Sequence, residues 1–278
     1  MFSTPFTFLK QPSAAFDPDA QAFFDAIGAS GGTLTDPDKD RVNTLVLNLK
    51  SNSLWDDLHA FYPYIGGSAI TTSFNLIDPT QYRINWVVPP IFETYGVRGT
   101  NTGNNDNGAY GRTGFYPARD FTLNQWGIGA YIQSTIAEAS NEHLYMGATD
   151  ISGVQNHPRI FLGQGSLTLS RMAAGNGSPL IDFTTPANNG QGLWQVTRDG
   201  TTTTNAYFNG SNVGSNTETV TMNDDNFDIF VLSASVFQPD NPYRPTRRVM
   251  GFQFIDKGMD VTQVSAMKTV GDTYMSGR

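Results

Sequence analysis

The 278 residues contain no cysteine. That absence excludes a disulfide framework, a thiolate metal site and a cysteine nucleophile together. Charge is also scarce: Asp, Glu, Lys and Arg make up 15% of the chain, and acids outnumber bases 25 to 17, a net charge of -8. Nucleic-acid binding needs a basic surface to neutralise phosphates, so no nucleic-acid partner is expected. No apolar run approaches the roughly 20 residues that span a bilayer, so no membrane insertion is expected either. The opening MFSTPFTFLKQPSAAF has no basic start and no unbroken apolar stretch, and it does not read as a secretory signal. The three histidines, His59, His143 and His157, show neither HxH nor HExxH spacing, so no zinc site is expected. His59 reads as a helix-surface residue.

What the chain does have is aromatic residues (12%), glycine, asparagine and threonine. Residues 1–16 read as an extended arm, because Pro5 and Pro12 interrupt any helix. Phe2, Phe6, Phe8 and Leu9 on such an arm make it a candidate assembly contact. Residues 17–62 read as a helical lead-in. Asp17-Pro18 and Thr35-Asp36-Pro37 are helix start signals. Ala22, Phe23, Ala26 and Ile27 recur at helical spacing, as do Val42, Leu45, Val46 and Leu49. A third short helix is expected over Leu54–Phe61.

From residue 63 onward the period changes to two. SAITTSFNL and YRINWVV read as strands, followed by WGIGAYIQ, HLYMGA, RIFLG, SLTLSRMA, GLWQVTRD, TNAYFNG, TETVTM, FDIFVLSASV and RVMGFQFI. Asp199-Gly200 and Asn209-Gly210 are hairpin signals ten residues apart, which suits three adjacent strands. Many short strands with Gly/Asn turns imply a sandwich or barrel. Asp260 with Gln263 resembles a capping box and starts a C-terminal helix with Val264, Met267, Val270 and Tyr274 on its apolar stripe.

Three motifs carry a family resemblance. YPYIGGSAITTSFNL after a helix resembles a lead-in of bacteriophage structural proteins. AYFNGSNVGS is similar to a hairpin of concanavalin A-like (laminin G-like) sandwiches. FIDKGMDVTQVSAMKTVGDTYMSGR resembles the C-terminal ending of the same phage group. The resemblance implies a mainly β, antiparallel jelly-roll or concanavalin A-like sandwich over residues 63–278, with the lead-in packed on it. It implies a non-enzymatic virion structural protein of a tailed phage, in the tail, fibre or capsid decoration. Its partners would be other virion proteins and further copies of itself. The alternative is a carbohydrate-binding adhesin module that recognises a host glycan.

Some concanavalin A-like sandwiches are glycoside hydrolases, which carry paired carboxylates on one strand. No Glu-x-Asp-x-(x)-Glu triplet occurs here. Glu138 and Glu142 are four apart in a polar stretch, and no enzymatic activity is expected. Asp224, Asp225 and Asp228 crowd hard oxygen ligands into NDDNFD, a candidate calcium site set against a plain solvated turn. Candidate glycan-stacking residues are Tyr95, Tyr110, Tyr116 and Trp126, in or beside the Asn/Gly-rich stretch of residues 95–126; Trp126 can equally open a core strand. Tyr243, Arg244 and Arg247, in PDNPYRPTRR, form a local basic patch suited to contact with an acidic neighbour.

Overall fold

The computed structural model of the chain describes residues 15–100, 108–134, 143–148, 158–162, 169–173, 180–184, 190–217, 227–235, 242–243 and 245–277. Two helices come first, α1 (Pro18–Ala29) and α2 (Asp36–Ser51). Asp17 caps α1 by accepting from the Asp19 amide. Thr35 and Asp38 close a capping box on α2. Lys50, in the last turn of α2, reaches back to Asp17 and Asp19, at 2.6 Å each, and ties the two helices together.

A single 3-10 turn (Trp55–Asp57) leads into β1 (Leu58–Tyr62). There follow β2 (Asn85–Val88), β3 (Ile91–Glu93), β4 (Gly96–Arg98), β5 (Tyr110–Arg112), a short α3 (Pro117–Asp120) and β6 (Gln125–Ile132). The chain continues through β7 (His143–Gly147), β8 (Arg159–Leu162), β9 (Leu169–Ala173), β10 (Leu180–Thr184), β11 (Gly192–Asp199), β12 (Thr204–Phe208) and β13 (Ser211–Asn216). It closes with β14 (Phe230–Val231), β15 (Ala234–Ser235), β16 (Pro242–Tyr243), β17 (Val249–Asp256) and α4 (Val261–Ser276).

The strands form a β-sandwich of two antiparallel sheets. One is eight-stranded, β13-β12-β11-β6-β17-β4-β3, with β1 also pairing to β17; the other is seven-stranded, β10-β9-β8-β7-β14-β5-β2. β15 and β16 form a small separate pair. Alternation along the strands feeds two cores. Trp126, Ile128, Ala130 and Ile132 of β6, with Trp194 and Val196 of β11, fill the core between the sheets. Phe61, Leu193, Phe252 and Phe254 point the other way, into a second core with Phe23, Val42, Leu45, Leu49, Val264 and Met267. The molecule therefore has three layers: helices, the eight-stranded sheet and the seven-stranded sheet. The apolar stripe read in α2 is the face that is buried: Val42, Leu45, Val46 and Leu49 are at most 1% exposed.

The three-strand meander β11-β12-β13 forms as its turn residues indicate. Asn209 (φ 49°) and Gly210 (φ 81°) both occupy the left-handed region that a tight hairpin turn requires. The Asp260–Gln263 capping box also forms at the start of α4.

Two local expectations fail. Leu54–Phe61 is not a helix. Its second half is β1, pairing Phe61 with Phe254 and Tyr62 with Gln253. Its apolar side chains serve both cores, and a short apolar run cannot tell strand from helix by spacing alone. SAITTSFNL is a series of turns rather than a strand. Its hydroxyls capture local carbonyls instead: Thr72 Oγ1 donates to Ser68 O at 2.7 Å and Ser73 Oγ to Ile70 O at 2.9 Å. The chain reverses just before them at Gly66 (φ 79°), where a Cβ would lie 2.7 Å from Leu34. β3, β4, β5, β10 and β16 formed without having been read as strands.

Candidate functional site

Where β6 ends and β11 begins, the sheet meets the last turns of α4 and leaves an open groove. Its volume is about 470 Å³, and it is lined by Tyr131, Gln133, Gln191, Asp272, Met275 and Ser276. The β6–β11 register pairs Tyr131 with Leu193 and Ile132 with Gly192, so Gln133 and Gln191 follow as neighbours just past the ladder. Gln191 Nε2 donates to Gln133 O at 2.7 Å, and the Gln133 amide donates to Val249 O at 2.9 Å. The Gln133 backbone is thereby fixed relative to β17, and the Gln191 side chain is held against it.

Tyr131 is half-buried and points to the helix side of the sheet. Its ring lies against Phe252 with centroids 5.2 Å apart, and its hydroxyl donates to Asp272 Oδ1 at 3.3 Å. The other oxygen of Asp272 accepts from Lys268, one turn earlier on α4. The helix comes this close because residue 271 is glycine. A Cβ there would sit 2.8 Å from Phe252 Cζ and 3.8 Å from Tyr131 Cδ2. An interior helical glycine costs about 0.5–1 kcal/mol relative to alanine. Here it is what allows α4 to reach the sheet.

The groove thus offers a ring, two amides, a carboxylate, a hydroxyl and a thioether. These are hydrogen-bonding groups beside an apolar surface, the mixture that suits a polyhydroxylated ligand with one apolar face. Its volume falls within the range of small-molecule sites.

The residues singled out from sequence do not assemble into one surface. Trp126 is 0% exposed in the inter-sheet core, and Tyr110 is 5% exposed and stacked on Phe230. Neither offers a ring face to a sugar. Tyr95 packs beside the helix-side core, with the Arg41 guanidinium 4.2 Å from its ring centroid. Tyr116, half-buried, carries Arg119 over its ring at 4.6 Å. Of the assembly candidates, Arg247 is half-buried. The Tyr243 backbone pairs with Ala234. The Tyr243 side chain, Arg244, Phe2, Phe6, Phe8 and Leu9 lie outside the described residues.

Asp224 and Asp225 of the calcium candidate also lie outside them. Asp228 is buried and committed elsewhere, accepting from Arg112 Nε at 3.1 Å and from the Gly114 amide at 2.9 Å. Burial pushes its carboxyl up, against the pull of those two donors. No metal-binding cluster occurs among the described residues. His59 stands on β1 rather than on a helix surface, half-buried against Phe115 and Phe121, and its imidazole is pushed down to about 4, by burial first and then by Lys257.

The residues of the groove escaped the sequence reading. The available signal was the alternation in WGIGAYIQ, which sets Tyr131 and Gln133 on the face opposite the core tryptophan. What that face meets depends on a helix more than a hundred residues later.

No protein-family model matches the sequence, and no curated protein matches it. By structure the chain is similar to Trypanosoma rangeli sialidase in complex with 2,3-difluorosialic acid, with a TM-score of 0.54, 10% identity, and 85% of this chain covering 40% of that one. It is also similar to the binding domain of botulinum neurotoxin DC in complex with SialylT, with a TM-score of 0.50, 12% identity, and 77% of this chain covering 51% of that one. A weaker likeness, with a TM-score of 0.41 and 8% identity, relates 53% of the chain to 83% of the CBM40 module of the Ruminococcus gnavus IT-sialidase bound to α2,3-sialyllactose. The chain thus spans 40% of the sialidase and 51% of the toxin domain. At these identities the likeness establishes the β-sandwich fold.

Proposed function

We propose that this protein is a non-enzymatic carbohydrate-binding module whose ligand seats in the Tyr131 groove. The observation that carries this reading is the convergence of Tyr131, Gln133, Gln191 and Asp272 on one open groove. The likeness to the sialidase and the toxin binding domain supports it, because both are complexes with sialic acid compounds or sialylated ligands by their descriptions. Binding is favoured over two-carboxylate hydrolysis because Asp272 is the single carboxylate among the described lining residues. A retaining glycosidase places two carboxylates about 5 Å apart.

A glycan array followed by calorimetry tests the reading. The wild type binds a defined set of glycans. Tyr131→Ala and Gln191→Ala each weaken that binding by about 5- to 30-fold, as the loss of a ring contact or a hydrogen bond of about 1–2 kcal/mol gives. A wild-type protein that binds no glycan on the array overturns it.

Display on a bacteriophage particle rests on the sequence resemblance alone. In that setting the module would attach the virion to host surface glycans. Immunogold labelling of intact particles with an antibody to this chain tests it, and unlabelled particles would count against it.

A further inference from the structure

We infer that the groove selects electrically neutral glycans and excludes acidic ones, sialylated sugars among them; this rests on the carbohydrate-binding reading above. Holding a sugar carboxylate tightly takes a cation not already committed to another anion. Among the described residues, the cation beside this groove is Lys268, and it is paired with Asp272 on its own helix. The second oxygen of Asp272 takes the Tyr131 hydroxyl. The remaining polar lining, Gln133, Gln191 and Ser276, is neutral.

The side chain of Asp272 is 45% exposed, and a carboxylate can take up to about four hydrogen bonds. It therefore has acceptor capacity left for sugar hydroxyls, while repelling a second carboxylate. The net charge of -8 sets the long-range field in the same sense.

The experiment compares glycans that differ only in sialylation, lactose against 3'-sialyllactose and N-acetyllactosamine against its sialylated form, by calorimetry and on an array. The neutral member of a pair binds, and its acidic partner binds roughly ten-fold more weakly or less, as a like charge near 6 Å at a solvated site requires. Asp272→Asn removes the repelling charge and releases Lys268, so the gap narrows. Acidic members that bind as tightly as neutral ones overturn the selectivity and leave the glycan reading standing. A neutral preference unchanged in Asp272→Asn overturns its assignment to this groove. Failure of every neutral and acidic glycan to bind overturns the carbohydrate reading itself, and this inference with it.

Discussion

The carboxylate of Asp256 is enclosed by β6, β11 and the turn into α4, and its titration follows from that enclosure. Its Oδ1 accepts from the Gly258 and Met259 amides at 2.9 and 3.1 Å, and its Oδ2 accepts from Gln195 Nε2 at 3.1 Å. Burial outweighs these donors, the neighbouring Asp57 adds to it, and the carboxyl is pushed up to about 7 from an ordinary 3.8. Between those values the folded protein holds a proton that the unfolded chain releases. The contribution of Asp256 is thus fully present below pH 4 and is lost as pH rises through 7, by at most about 4 kcal/mol. His59 runs the other way. Its imidazole is pushed down to about 4, so its contribution is lost as pH falls below its ordinary 6.5. Comparing Asp256→Asn with the wild type separates the two. The Asn side chain can keep the Oδ1 contacts, and its amide meets Gln195, whose Oε1 has no hydrogen-bond partner among the described residues. In denaturant titrations the stability of the variant relative to the wild type rises from pH 4 to 7 and then levels. A pH-independent difference would contradict the enclosure argument.

Helix α4 shows how one small residue sets the distance between layers. Gly271→Ala improves helix propensity but drives a methyl into the packed Phe252 ring, so we expect a net loss of about 1–3 kcal/mol and weaker glycan binding. A stability gain would mean the ring yields easily. On α2, Leu45→Ala removes a side chain 1% exposed in the helix-side core, and thermal or chemical denaturation should show a loss of about 2–5 kcal/mol. α2 and α4 were legible because cap, period and apolar stripe agree within a few residues: Thr35 with Val42 and Leu45, Asp260 with Val264 and Met267. β11 was equally legible, since GLWQVTRD is bounded by its own turns. Serine and threonine hydroxyls misled at SAITTSFNL, where β-branched residues imitate a strand while their oxygens close turns. β1 was misread because only β17, nearly two hundred residues away, determines its conformation. The groove was illegible for the same reason: Tyr131 and Asp272 meet only once the third layer is in place.

At the scale of the whole molecule, the helices are a structural layer of the sandwich, because Phe61, Phe252 and Phe254 have no other cover. Removing residues 15–52 should leave that sheet face open, giving a protein that binds a hydrophobic dye and aggregates in size-exclusion chromatography. A monomeric, dye-negative sandwich of unchanged melting temperature would show the layer to be dispensable. The groove also lies against the last described turn of α4, since Met275 and Ser276 both line it. An affinity tag, fluorescent partner or surface linker joined after Arg278 therefore follows the proposed site by two residues. Immobilised through that end, the protein faces its support with the proposed binding site. A probe built on this chain should be attached through its amino-terminal side, and the same protein coupled in the two orientations should differ in how much soluble glycan it captures.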